Sequence, residues 1–115
     1  MNKKNGLDVY RKATKFMKDN LFEKLHVIDI AEHCGVSASG LEKHFAKFGG
    51  VGVMRHFLDL KLEYAAKMLK EGYTVNYLAN LLNFSSSAHL SMAFKQKYGV
   101  SPLKHKYPFM EKSQK

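Results

Sequence analysis

The strongest constraint on this chain is that part of it occurs twice. The segment VIDIAEHCGVSASGLEKHFAKFGGV, from Val27 to Val51, resembles VNYLANLLNFSSSAHLSMAFKQKYGV, from Val75 to Val100. Val27 aligns with Val75, Ile30 with Leu78, Ala31 with Ala79, Gly35 with Asn83 and Ser37 with Ser85. After one inserted residue, Leu41, Phe45 and Gly50 align with Leu90, Phe94 and Gly99. Two copies are too few for a solenoid, which needs about three or more repeats to bury its faces. A duplicated module with a connecting element fits better.

Each copy has the same internal logic. A short helical stretch ends in Gly or Asn, the residues that best tolerate a left-handed turn. An apolar residue follows (Val36 or Phe84), then serine, a natural cap for another helix. That second helix keeps one apolar face and leaves the other free. A small alanine on the first helix, Ala31 or Ala79, permits a close helix crossing. This is the helix-turn-helix pattern, and its occurrence twice in one chain makes it specific.

Helical periodicity also covers the remainder. Val9, Ala13, Phe16, Met17 and Leu21 define a first helix over about Asp8 to Leu21. Met54, Phe57, Leu58, Leu62, Ala65, Ala66 and Leu69 stripe a long helix from about Val53 to Lys70, ended by Gly72. Thr74 caps a short helix, and Ser101-Pro102 opens a last one that Pro108 stops. Strand signals are nearly absent. The expected fold is all-α, with two helix-turn-helix subdomains joined by a long linker helix and about seven helices in total. The expected boundaries are 1–52 for the first helix and first module, 53–71 for the linker helix and 72–110 for the second module. Residues 111–115 form a polar, frayed tail.

Composition narrows the partners. A formal charge of +9 on 115 residues suits a polyanion, either nucleic acid or an anionic membrane surface. No apolar stretch is long enough to span a bilayer. The single cysteine, Cys34, excludes an intramolecular disulfide framework and fits a reducing cytoplasm. Six histidines offer no metal site, because H-x-x-x-H and C-x-x-C pairings are missing and the adjacent His33 and Cys34 rarely share one ion. Gly49 to Gly52 lacks the Gly-Lys-Ser/Thr of a phosphate loop and reads as a turn. His44 lies on an apolar stripe and reads as a packed histidine. Phe16, Phe57, Phe94 and Tyr98 are core by periodicity, so no stacking platform for single strands is expected. No carboxylate pair or nucleophile-base constellation points to an enzyme.

With these features in place, the chain resembles the DNA-binding domain of the AraC/XylS family of bacterial transcription regulators. Asn83-Phe84-Ser85-Ser86 stands for the family's Gly-Phe-x-Ser, and HLSMAFKQKYGVSP for its x-Phe-x-x-x-Phe-Lys-x-x-x-Gly-x-Ser-Pro run. MRHFLDLKLEYAAKML, Met54 to Leu69, resembles the linker helix, and the likeness extends from about Val9 to Tyr107. It implies two recognition helices in successive major-groove segments about one turn, or about 34 Å, apart. A monomer would then read both sites; if the helices sit closer together, the DNA must bend. It also implies an activator that touches RNA polymerase, needing no cofactor and carrying no small-molecule effector site within this chain. Two versions of the parent fit: a short stand-alone regulator, mildly favoured by Met1 and its basic lead, or the C-terminal part of a longer ligand-responsive one.

Several positions depart from the family pattern. Asn83 replaces glycine, His105-Lys106 replaces Tyr-Arg, and Met92 replaces an arginine in the second recognition helix. Gly52-Val53 replaces Ser-Pro in the first module, leaving the linker helix without its usual cap.

The residues expected to meet DNA follow from the free faces. On the first recognition helix these are Ser39, Glu42, Lys43 and Lys47, with Ala46 between them. Lys43 suits guanine O6/N7 and Lys47 a phosphate, while Glu42 either accepts from a cytosine N4 amine or is a solvated helix residue. On the second, Ser87, Ala88, His89, Ser91, Met92 and Lys95 face outward. Ser37, Ser85 and Ser86 read as helix caps whose neighbouring amides can hold a phosphate. Short and apolar side chains discriminate bases weakly, so the first module carries more sequence choice and the second more positioning. A rival reading makes the chain an interaction module for RNA polymerase or another regulator, with little DNA reading of its own.

Overall fold

In a computed structural model of the chain, residues 5–108 are described. Among them are seven helices: α1 Gly6–Asp19, α2 Val27–Cys34, α3 Ala38–Gly49, α4 Val53–Lys70, α5 Val75–Leu81, α6 Ser87–Tyr98 and α7 Pro102–Lys106. The described residues contain no strand. The chain divides into two compact units, residues 1–60 and 61–115, and the division falls inside α4. The expected polar tail lies outside the described residues.

Unit 1 is built by α1, α2, α3 and the first part of α4. Val9, Ala13 and Met17 of α1 pack with Ile30, Ala31 and Cys34 of α2, Leu41 and Phe45 of α3, and Val53 and Phe57 of α4. Each helix contributes residues three or four apart, which places them on one face. Thr14 and His56 are hydrogen-bonded side chain to side chain at 3.2 Å, tying α1 to α4. His44 is half-buried, close enough to Gly6 that a Cβ there would come 2.8 Å from Nδ1. Cys34 is buried, its Sγ 4.0 Å from the Val9 carbonyl oxygen.

Unit 2 repeats the scheme. Leu78 and Ala79 of α5, Leu90 and Phe94 of α6, and Leu62, Ala65 and Leu69 of α4 are buried, together with Leu82 and Phe84 of the turn. His105 donates from Nε2 to the Ala66 carbonyl at 3.0 Å, fastening α7 to α4.

The two helix-turn-helix turns match bond for bond. Gly35 and Asn83 are both left-handed, with φ 71 and 65. The Val36 N–H donates to the Ala31 carbonyl at 3.1 Å, and the Phe84 N–H to the Ala79 carbonyl at 2.9 Å. Gly35 and Asn83 themselves donate to Glu32 and Asn80. These are the paired bonds of a Schellman ending, in which a left-handed residue lets two amides fold back onto orphan carbonyls.

Element limits differ from expectation where a polar side chain captures a helix end. α1 begins two residues before Asp8 because Asn5 Oδ1 accepts the Leu7 N–H at 2.8 Å. It ends at Asp19 because Asn20 turns back on Phe16 and Met17. Periodicity also overstates burial at stripe edges. Met54 is 37% exposed and Tyr98 36%, and Phe16 is only half-buried, stacked on His33 at 4.1 Å. Val53, absent from the expected stripe, is fully buried.

Candidate nucleic-acid interface

The free faces belong to α3 and α6, the second helix of each module. α3 starts at Ser37, whose Oγ accepts the Gly40 N–H at 3.0 Å. Leu41 and Phe45 hold its inner face, and Ser39, Lys43, Ala46 and Lys47 are exposed on the other. Their spacing of three and four makes them one stripe. Lys47 lies over the Phe48 ring, with Nζ 5.3 Å from its centroid.

Glu42 stands apart from that stripe. It is half-buried, and its Oε1 accepts the Val53 N–H at 3.0 Å. Val53 is the first residue of α4, so its amide is one of the orphan donors of a helix start. The linker helix is therefore capped after all, by a side chain from α3 in place of a local serine. Neither role open to Glu42 in the sequence describes this contact. Capping across eleven residues leaves no local motif to read.

α6 starts at Ser86, whose Oγ accepts the His89 N–H at 3.0 Å. Ser85 is not a cap: its Oγ is 3.1 Å from His89 Nδ1. The inserted residue of the second module thus precedes the cap, and Ser37 corresponds to Ser86. Everything after it keeps a constant offset, which aligns Ser39 with Ala88, Lys43 with Met92, Ala46 with Lys95 and Lys47 with Gln96. Ala88, Met92, Lys95 and Gln96 are all exposed, Met92 at 64%. Gln96 escaped the sequence reading, yet it occupies the position of Lys47. The repeat alignment was the signal that could have found it.

Three other expected contact residues are less free. Ser87 is half-buried and its hydroxyl donates to Asn76 Oδ1 at 3.1 Å. Ser91 is half-buried. His89 is exposed but turned back, edge-on to the Phe84 ring at 5.2 Å and bound to Ser85. The α6 stripe is consequently one methyl, one thioether, one ammonium and one amide.

The same offset pairs His56 with His105, and both meet the recognition-helix phenylalanine edge-on. Phe45 and His56 lie 5.1 Å apart at 75°, Phe94 and His105 5.2 Å apart at 68°. It also pairs Gly52 with Ser101, whose Oγ caps α7 by accepting the Lys104 N–H at 3.2 Å. The duplication thus extends past Gly50 and Gly99 into the helix that follows each module.

Among the described residues, no helix is long and apolar enough to cross a membrane.

A family profile described as a helix-turn-helix domain matches residues 30–106. The chain is 34% identical over 84 residues to the uncharacterised HTH-type transcriptional regulator YidL of Escherichia coli K12, covering 72% of this chain and 28% of YidL. Among solved structures it is similar to a transcriptional regulator of Chromobacterium violaceum with an AraC-type DNA-binding domain. That match has a TM-score of 0.84 and 26% identity, over 87% of this chain and 90% of the other. The DNA-binding domain of AdpA, solved in complex with a target DNA, shares the fold at a TM-score of 0.76 and 19% identity, over 96% of each chain. The chain spans between about a quarter and a third of the curated relatives it matches. With two capped helix-turn-helix modules and these likenesses, the chain belongs to the AraC-type family of helix-turn-helix DNA-binding domains.

Proposed function

We propose that the chain binds double-stranded DNA and regulates transcription, each unit offering one helix, α3 or α6, to a major-groove segment. The observation that carries this reading is the pair of equivalent exposed stripes, one with Lys43 and Lys47, the other with Lys95 and Gln96. Each stripe backs onto a buried Leu-x-x-x-Phe face that fixes its helix. Lysine reaches guanine O6/N7 or phosphate, glutamine is suited to adenine, and the Ala88 and Met92 side chains suit a thymine methyl. The α3 stripe supplies more of the sequence choice and the α6 stripe more of the positioning. Binding as a monomer, an activating sense, contact with RNA polymerase and residence with the nucleoid in the cytoplasm all rest on the family likeness.

The wide exposure of Met92 favours a second reading, in which α6 docks on another protein. Fluorescence anisotropy with mixed-sequence duplex separates the two. Phosphate-driven binding weakens steeply between about 50 and 200 mM salt, as counterions are released. A flat salt response would exclude the DNA reading.

A further inference from the structure

We infer that Glu42 is a positioning residue, which caps the linker helix from the recognition helix and so sets α3 for DNA without reading a base. The inference rests on the DNA-binding reading above. The two modules supply the comparison. In the second, the helix after the recognition helix carries its own cap, Ser101, and the position equivalent to Glu42 is Ser91. In the first, the equivalent of Ser101 is Gly52, which has no side chain to offer. Gly52 still behaves as a capping residue in its backbone, because its carbonyl accepts the His56 N–H at 3.0 Å. An acceptor for this helix start comes from Glu42, 3.0 Å from the Val53 amide. That amide has no counterpart in the second module, where Pro102 stands at the equivalent position and Ser101 accepts the Lys104 amide.

A carboxylate at a helix N-terminus meets both an orphan N–H and the positive end of the helix dipole. Because this carboxylate belongs to α3, the bond fixes the distance between the recognition helix and the start of α4. Lys43 and Ser39 are the neighbours of Glu42 along the helix, so their reach into a groove depends on that setting. A carboxylate whose Oε1 is committed to the Val53 amide is held at the start of α4, and unbound it would repel phosphate.

The test is a cap exchange. Gly52 does not have a positive φ, so serine fits its backbone. A Cβ there would lie 3.4 Å from Glu42 Oε1, a contact that disappears when Glu42 is truncated. Glu42→Ala is expected to lower Tm by about 4–8 °C. It should weaken binding by about 3- to 10-fold on every duplex alike. Sequences selected from a random DNA pool should match those of the native chain. Adding Gly52→Ser to Glu42→Ala should restore Tm, by capping the Arg55 amide, but not affinity, because a local cap does not tie α3 to α4. Glu42→Gln, which keeps an acceptor oxygen, should lose little of either.

Three results overturn the inference. One is a changed base preference in the Glu42→Ala selection, which would make Glu42 a reader. Another is a fall in Tm with affinity untouched, which would make the cap purely structural. The third is recovery of affinity along with Tm on adding Gly52→Ser, which would make the link from α3 unnecessary. If the native chain binds no duplex, the DNA reading fails by itself, while the Tm values of the same variants still decide the cap.

Discussion

Asn83 holds a left-handed backbone, φ 65, at the position where the first module uses Gly35, φ 71. A side chain with a Cβ costs about 1–2 kcal/mol there, and asparagine is among the few residues that tolerate the conformation. Gly35→Ala is therefore expected to destabilise by about 1–2 kcal/mol and Asn83→Ala by about 1 kcal/mol, measured by urea unfolding. Equal stability of either variant and the native chain would remove the turn argument. Lys61 offers a pH-dependent counterpart. It is half-buried, with Nζ 5.8 Å from the Phe84 ring centroid, and burial lowers its pKa from the ordinary 10.5. The folded state thus disfavours the charged ammonium, and this cost is present in full below the lowered pKa. As pH rises through that pKa towards 10.5, the cost fades and the Lys61 contribution to stability climbs. Lys61→Met should raise Tm at neutral pH, with its advantage shrinking in alkaline buffer. An advantage that stays constant across that range would contradict the desolvation account.

At the scale of elements, the sequence announced helices through local chemistry and missed what depends on distant partners. Ser37, Thr74 and Ser101 cap where their sequence neighbourhood suggests, because a cap acts within three residues of itself. Glu42 caps from another helix, so its role became visible only when α3 and α4 were brought together. The serine run Ser85 to Ser87 illustrates a finer limit. Three adjacent hydroxyls compete for one capping position, and geometry assigns it to Ser86, leaving Ser85 to His89 and Ser87 to Asn76. Periodicity located the buried stripes yet overstated their width, since a residue at a stripe edge, such as Met54 or Tyr98, stays partly exposed. The exposed stripes of α3 and α6 differ in chemistry, and this yields a prediction for each. Lys43→Ala should relax sequence choice in a random-pool selection, as loss of a guanine donor does, by about 1–3 kcal/mol at one base position. Lys95→Ala, equivalent to Ala46 of the first module, should weaken binding to all sequences alike. Uniform loss for both variants would refute this division between the helices.

For the whole molecule, the question is whether both modules hold the DNA at once, and charge supplies a measure of it. Duplication does not guarantee shared use, because Met92 and Ala88 leave the exposed stripe of α6 with one lysine, Lys95, against Lys43 and Lys47 on α3. Each phosphate contact adds about 0.9 to the slope of log K against log salt on duplex DNA. Lys47, late in α3, and Lys95, in α6, are each expected to contribute one such contact, so either alanine variant should flatten the slope by about 1. If both units bind together, the double variant Lys47→Ala with Lys95→Ala should flatten it by about 2. If only the first unit engages, Lys95→Ala leaves the slope unchanged and the double variant matches Lys47→Ala alone. Slope carries this distinction where affinity does not, because a mispositioned helix weakens binding without changing the number of ions released. A net charge of +9 makes some electrostatic attraction inevitable, and the stepwise loss from two named lysines is what ties it to α3 and α6 together.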